Sequence, residues 1–99
     1  MLNITRNCTA DKAVFCLEGR LDTSTATDLE NQLKECPDSV TELVLDLEKL
    51  EYISSVGLRV LLSAHKAMAG KGTMKIIHAD EMIMEIFDVT GFSDILNIE

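Results

Sequence analysis

The sequence predicts an α/β domain with an N-terminal hairpin and a mixed central sheet covered by helices. Two observations carry this. The segments read in the order strand, strand, helix, strand, helix, strand, helix, which calls for a sheet with helices packed on it. At Ser54 the apolar pattern switches from a compact strand-like run to helical spacing, the signature of a strand feeding a helix. The length, 99 residues, fits one small domain, expected over 1–99, and one proline and five glycines leave no room for a long internal linker.

Residues 2–8, LNITRNC, and 12–18, KAVFCLE, read as strands joined as an antiparallel hairpin by the short link Thr9-Ala10-Asp11. The near-continuous apolar content of the second strand predicts burial on both its faces. Gly19-Arg20-Leu21-Asp22 ends it. In TSTATDLENQLKEC, residues 23–36, Ala26, Leu29, Leu33 and Cys36 recur at helical spacing, and Asp28, Glu30, Lys34 and Glu35 face out. Asp22 or Thr23 can cap the first turn by accepting from its free N–H groups, and Pro37 stops the helix.

TELVLDLE, residues 41–48, reads as a central strand. Its one interruption, Asp46, should lie near the strand end or be paired. A helix over 55–69 follows, with Leu58, Leu61, Leu62, His65 and Met68 as its apolar stripe and Gly70 and Gly72 as its stop. TMKIIHA, residues 73–79, reads as a strand. Asp80 can cap the next helix, EMIMEIFDVT, which turns Ile83, Ile86 and Phe87 inward and ends at Gly91. FSDILNIE reads as a short helical turn or as a last edge strand.

Composition excludes several function classes. The net charge is −8 and the isoelectric point near 4.6, so the chain should repel nucleic acid and anionic membranes; the acid can steer it toward a basic partner or serve only to keep a small protein soluble. No apolar run approaches the roughly 20 residues that span a bilayer, and MLNITRNC lacks a signal-peptide layout, so no membrane insertion and a cytoplasmic location are expected. Cys8, Cys16 and Cys36 are odd in number and widely spaced, which fits reduced packing thiols rather than zinc ligands. No metal and no cofactor is expected.

The run LEYISSVGLRVLL poses the functional question, because two hydroxyls stand where the strand gives way to the helix. One serine suffices for a helix cap. A serine hydrolase fits poorly: there is no G-x-S-x-G, and His65 lies ten positions along the same helix from Ser55, about 15 Å by helical rise. His78, at a strand end, is the other candidate base. There is no phosphate-binding G-x-x-x-x-G-K-[ST] run. The remaining chemistry makes the hydroxyl a substrate, since phosphorylation adds about −1.5 to −2 charges at one point and a helix N-terminus tolerates them. No catalytic residue is assigned.

Three stretches in order, GRLDTSTATDLENQL, ELVLDLEKLEYISSVGLRVLL and IMEIFDVTGFSDILNI, resemble the STAS domain, the module of anti-sigma factor antagonists and sulphate transporter tails. The middle stretch is the most specific of the three. In that family the phosphorylated serine lies two residues before the glycine of a gly-leu pair, which is Ser55 before Gly57-Leu58. The residue before it is usually Asp, and here it is Ser54, the second candidate for modification. The resemblance implies a partner-binding surface over Asp22, Thr23, Ser54, Ser55, Val56, Gly57 and Arg59. It implies an anti-sigma factor with serine kinase activity as the partner, with ATP bound by that kinase, and a serine phosphatase as its counterpart. The alternatives are a STAS subunit of another signalling or lipid-transport assembly, or a small hydrolase using Ser55.

Overall fold

The computed structural model describes residues 2–37 and 39–99; Met1 and Asp38 lie outside the described residues. Four strands form one sheet: β1 (Leu2–Cys8), β2 (Lys12–Leu21), β3 (Glu42–Ile53) and β4 (Thr73–Ile77), in the spatial order β1-β2-β3-β4. β1 and β2 pair antiparallel as the predicted hairpin, and β3 then adds parallel to β2 and β4 parallel to β3. The two parallel joins need crossovers, supplied by α1 (Ala26–Lys34) and α2 (Ser55–Ala69). α3 (Glu81–Thr90) follows β4, capped by Asp80, whose carboxylate accepts from Ile83 N–H at 2.9 Å. It ends at Gly91, whose φ of 80° is the left-handed cap that glycine adopts freely.

β2 corrects the expectation of burial on both faces. Ala13, Phe15 and Leu17 are buried, Val14 and Cys16 are half-buried, and Glu18 is exposed. The alternation means that the helices cover one face of this strand. The covered face joins Phe15, Leu45, Leu47, Leu61, Ile76, Ile83 and Phe87 in one core. β2 also runs on through Gly19, with φ 107°, to Leu21.

β3 extends five residues past the predicted end at 48. The reason lies in its pairing. Opposite β2, the register slips between Cys16 and Glu18 and again between Gly19 and Arg20, so β3 carries extra residues at both places. These bulges let Leu50 and Ile53 face the core after Leu43, Leu45 and Leu47, with the spacing changed from two to three. Alternation therefore vanishes from the sequence while the strand continues. Asp46 sits in mid-strand rather than near the strand end, opposite the last residue of β4, Ile77, and it is paired there: its carboxylate bonds His78 Nδ1 at 3.0 Å and accepts from Glu48 N–H at 3.0 Å. His78 has a φ of 61°, which ends β4 at Ile77, two residues before the predicted boundary.

α1 begins at Ala26, not at 23, because residues 22–25 form a tight turn of their own. After α3, residues Phe92–Asp94 make the short helical turn, a 3-10 one, and Ile98 then makes a single parallel bridge to Ile76 on β4 in place of a last edge strand. Among the described residues, no helix is long and apolar enough to cross a membrane.

Candidate functional site

The parallel strands β2 and β3 end side by side, at Leu21 and Ile53. β3 passes through Ser54 into α2, and β2 passes into the turn at 22–25 ahead of α1, so two chain turns meet at one end of the sheet. Ser54 N–H donates to Leu21 O at 2.8 Å, tying the start of α2 to the end of β2. Gly57 seals the contact. A Cβ there would lie 2.8 Å from Leu21 Cγ and 3.0 Å from Leu21 O, so this first turn approaches β2 as closely as it does only with glycine.

The two serines have different environments. Ser54 is the N-cap of α2, with extended backbone, and its Oγ accepts from Gly57 N–H at 3.2 Å. It is half-buried. Ser55 is the first helical residue and is exposed, and no described residue hydrogen-bonds its hydroxyl. The cap is therefore Ser54, and Ser55 belongs to the first turn. Val56 is half-buried against the core, and Arg59 is exposed one helical turn beyond Ser55.

Asp22 follows Leu21 and so stands next to the anchor of Ser54. Its Oδ1 accepts from Ser24 N–H (3.0 Å), Ser24 Oγ (2.8 Å), Thr25 N–H (3.2 Å) and Thr25 Oγ1 (3.3 Å). The Ser24 hydroxyl bond is the largest influence holding its carboxyl below the ordinary value of 3.8; partial desolvation opposes it. Asp22 thus organises the turn ahead of α1 and does not reach into the Ser55 loop. The N-cap position of α1 belongs to Thr25, whose side chain instead accepts from Asp22 N–H and donates to Arg20 O. Thr23 is exposed and caps nothing.

Two further features were invisible in the sequence. The Arg20 guanidinium lies 4.5 Å over the Tyr52 ring, a stack produced by their cross-strand register one residue short of Leu21 and Ile53. Ala26, Thr27, Glu30, Val60 and Ser63 join Val56 and Arg59 around a hollow of about 240 Å³ between α1 and α2. No sequence signal links these positions, because they come from two helices docked by the core.

The site holds no paired base. His65 is ten residues along α2, about 15 Å away by helical rise. His78 is held by Asp46, and β3 continues seven residues beyond Asp46 before reaching Ile53, a path of about 20 Å. Among the described residues no group of three or more His, Cys, Asp or Glu side chains is arranged to hold a metal.

The STAS domain family model matches residues 2–99. The chain belongs to the STAS family. A Bordetella bronchiseptica protein, BtrV, named as an anti-sigma factor antagonist, is 33% identical over 87 residues, covering 86% of this chain and 75% of that protein. An anti-sigma factor antagonist from Mycobacterium paratuberculosis superimposes with a TM-score of 0.88 at 21% identity, over 99% of this chain and 85% of the other. The Bacillus cell fate determinant SpoIIAA, in its phosphorylated form, does so with a TM-score of 0.76 at 17% identity, over 98% and 91%. At those identities the two structures speak for the STAS fold alone.

Proposed function

We propose that this STAS domain is an anti-sigma factor antagonist that works by partner switching. Unphosphorylated, it binds an anti-sigma factor that is also a serine kinase, through Asp22, Thr23, Ser54, Ser55, Val56, Gly57 and Arg59. The kinase transfers the γ-phosphoryl group of its own ATP to Ser55 and releases the phosphorylated chain, and a serine phosphatase restores it. This chain is the substrate and supplies no catalytic group.

The division of labour between the serines carries this reading. Ser54 already spends its hydroxyl on Gly57 N–H, whereas the Ser55 hydroxyl is exposed and unbonded. A phosphate on Ser55 disturbs no internal bond. It also stands at the positive end of the α2 dipole, one turn from Arg59, so the fold accommodates it. A partner surface packed against Ser55 would instead meet a new charge of about −2. The relative at 33% identity supports the functional class: BtrV is named an anti-sigma factor antagonist.

The test uses the partner kinase and ATP, with phosphopeptide mapping and an affinity measurement. Wild type and Ser54→Ala should take up phosphate on Ser55. Ser55→Ala should take up none and hold the kinase constitutively, and Ser55→Asp should bind it more weakly. Phosphate on Ser54 would move the switch by one residue; undiminished uptake by both alanine variants would rule the mechanism out.

A further inference from the structure

Cys8 and Cys36 have no part in the site above, yet the fold brings them together. β1 turns Leu2, Ile4, Arg6 and Cys8 toward the helices, by register with the buried Leu17, Phe15 and Ala13 of β2. Arg6 is clamped to the end of α1: its guanidinium donates to Gln32 O at 3.2 Å and to Glu35 Oε1 at 2.7 Å. Cys36 follows Glu35 directly, and Cys8 lies one pleat beyond Arg6 on the same face. Cys8 also heads a cross-sheet row through Ala13 and Leu43, and Leu43 and Cys36 both line one groove between α1 and α2. Cys16 projects from the other face of β2, beside Thr5 and Asp46, with the sheet between it and both other thiols.

We propose that Cys8 and Cys36 are a reversible redox pair that closes an intramolecular disulfide on exposure to a low-molecular-weight disulfide such as oxidised glutathione. The exposed Cys8 thiolate attacks one glutathione sulfur and expels the other as a thiolate, leaving a mixed disulfide. The Cys36 thiolate then attacks the Cys8 sulfur and expels the second glutathione. The two protein thiols lose two electrons and two protons in all, and one glutathione disulfide becomes two glutathione thiols. The closed bond spans about 28 residues and ties the end of α1 to β1. It would fix one wall of the 290 Å³ groove, which shares Glu30, Val60 and Ser63 with the hollow beside Val56 and Arg59.

The order of events follows from exposure. Cys8 is exposed and Cys36 is half-buried. Burial, and after it Cys8, raises the Cys36 thiol above its ordinary value, against the opposing charges of Arg6 and Lys71. Cys36 is thus the slower, resolving thiol, and closure should accelerate as pH rises, because the thiolate is the attacking form.

The full chain is equilibrated in glutathione buffers of graded redox ratio, quenched by alkylation and mapped by mass spectrometry, with thermal melting of the reduced and oxidised forms. Wild type and Cys16→Ser should lose about 2 Da, link the Cys8 and Cys36 peptides, and melt at least about 5 °C higher than when reduced, with dithiothreitol reversing both changes. Cys36→Ser should stop at glutathione on Cys8. Overturning results are a stable glutathione adduct on wild-type Cys8 with Cys36 still alkylated, a link through Cys16, disulfide-linked dimers, or an oxidised form that melts no higher than the reduced one.

Discussion

The Ser54 hydroxyl accepts from Gly57 N–H at the half-buried start of α2, so Ser54→Ala leaves that donor without its partner. The expected loss is about 1 kcal/mol, read as a lower urea midpoint with an unchanged slope. Phosphorylation of Ser55 should continue in that variant. Asp22 differs in kind. Its pKa is lowered in the fold, chiefly by the Ser24 hydroxyl, so the ionised form is the stabilised one. That contribution is complete above the unfolded value near 3.8 and disappears as pH falls through the lower folded value. Asp22→Asn keeps an acceptor oxygen and should fold. Its stability deficit in urea titrations should be present at neutral pH and fade as pH falls below 3.8 through the lowered folded value. If Asp22 also faces the kinase, Asp22→Asn should slow phosphorylation more at low salt than at high salt, since a rim charge acts mainly on encounter. Equal rates at low salt would confine Asp22 to its turn.

α2 is the element that presents Ser55, the proposed switch residue, and its position depends on one close approach. A methyl group at Gly57 meets Leu21 Cγ and Leu21 O, so Gly57→Ala must push the helix start away from β2. The expected cost is about 1–3 kcal/mol, as for other overpacking, with slower phosphorylation because Ser55 moves too. Gly70, at the far end of the same helix, provides the control. It has open space around its Cβ direction and a right-handed backbone, so Gly70→Ala should be neutral or stabilising by up to about 1 kcal/mol. Equal melting temperatures for both variants would show that the approach to Leu21 is not a constraint.

At the scale of the whole molecule, the core couples α3 to the sheet through Phe87, which is fully buried with Phe15 and Ile83. Phe87→Ala should cost about 3–5 kcal/mol out of a total stability of roughly 5–15, enough to leave a measurable unfolded fraction in circular dichroism melts. The net charge of −8 acts at longer range. Association with a basic partner surface should be fastest at low ionic strength and slow steeply with added salt, in stopped-flow measurements. A rate insensitive to salt would leave the charge a solubility device only.

Segments whose signals are local were legible in the residues alone. β1 and α2 occupy 2–8 and 55–69 as read, and α3 starts at its Asp80 cap and stops at its glycine, because period, cap and breaker all lie within or beside each segment. The same locality made the serine pair conspicuous at the strand–helix junction. Features that depend on register between strands emerge only from the folded chain. The bulges that carry β3 on to Ile53, the Asp46–His78 bond, the Arg20–Tyr52 stack and the one-sided burial of β2 all join residues separated by many positions in the chain. The turn at Asp22, a local structure, shifted the start of α1 because a carboxylate satisfying two N–H groups outcompeted one more helical turn. Which serine caps and which stands free was likewise settled by the bond from Ser54 N–H to Leu21 O, a contact between strand ends that no local pattern encodes.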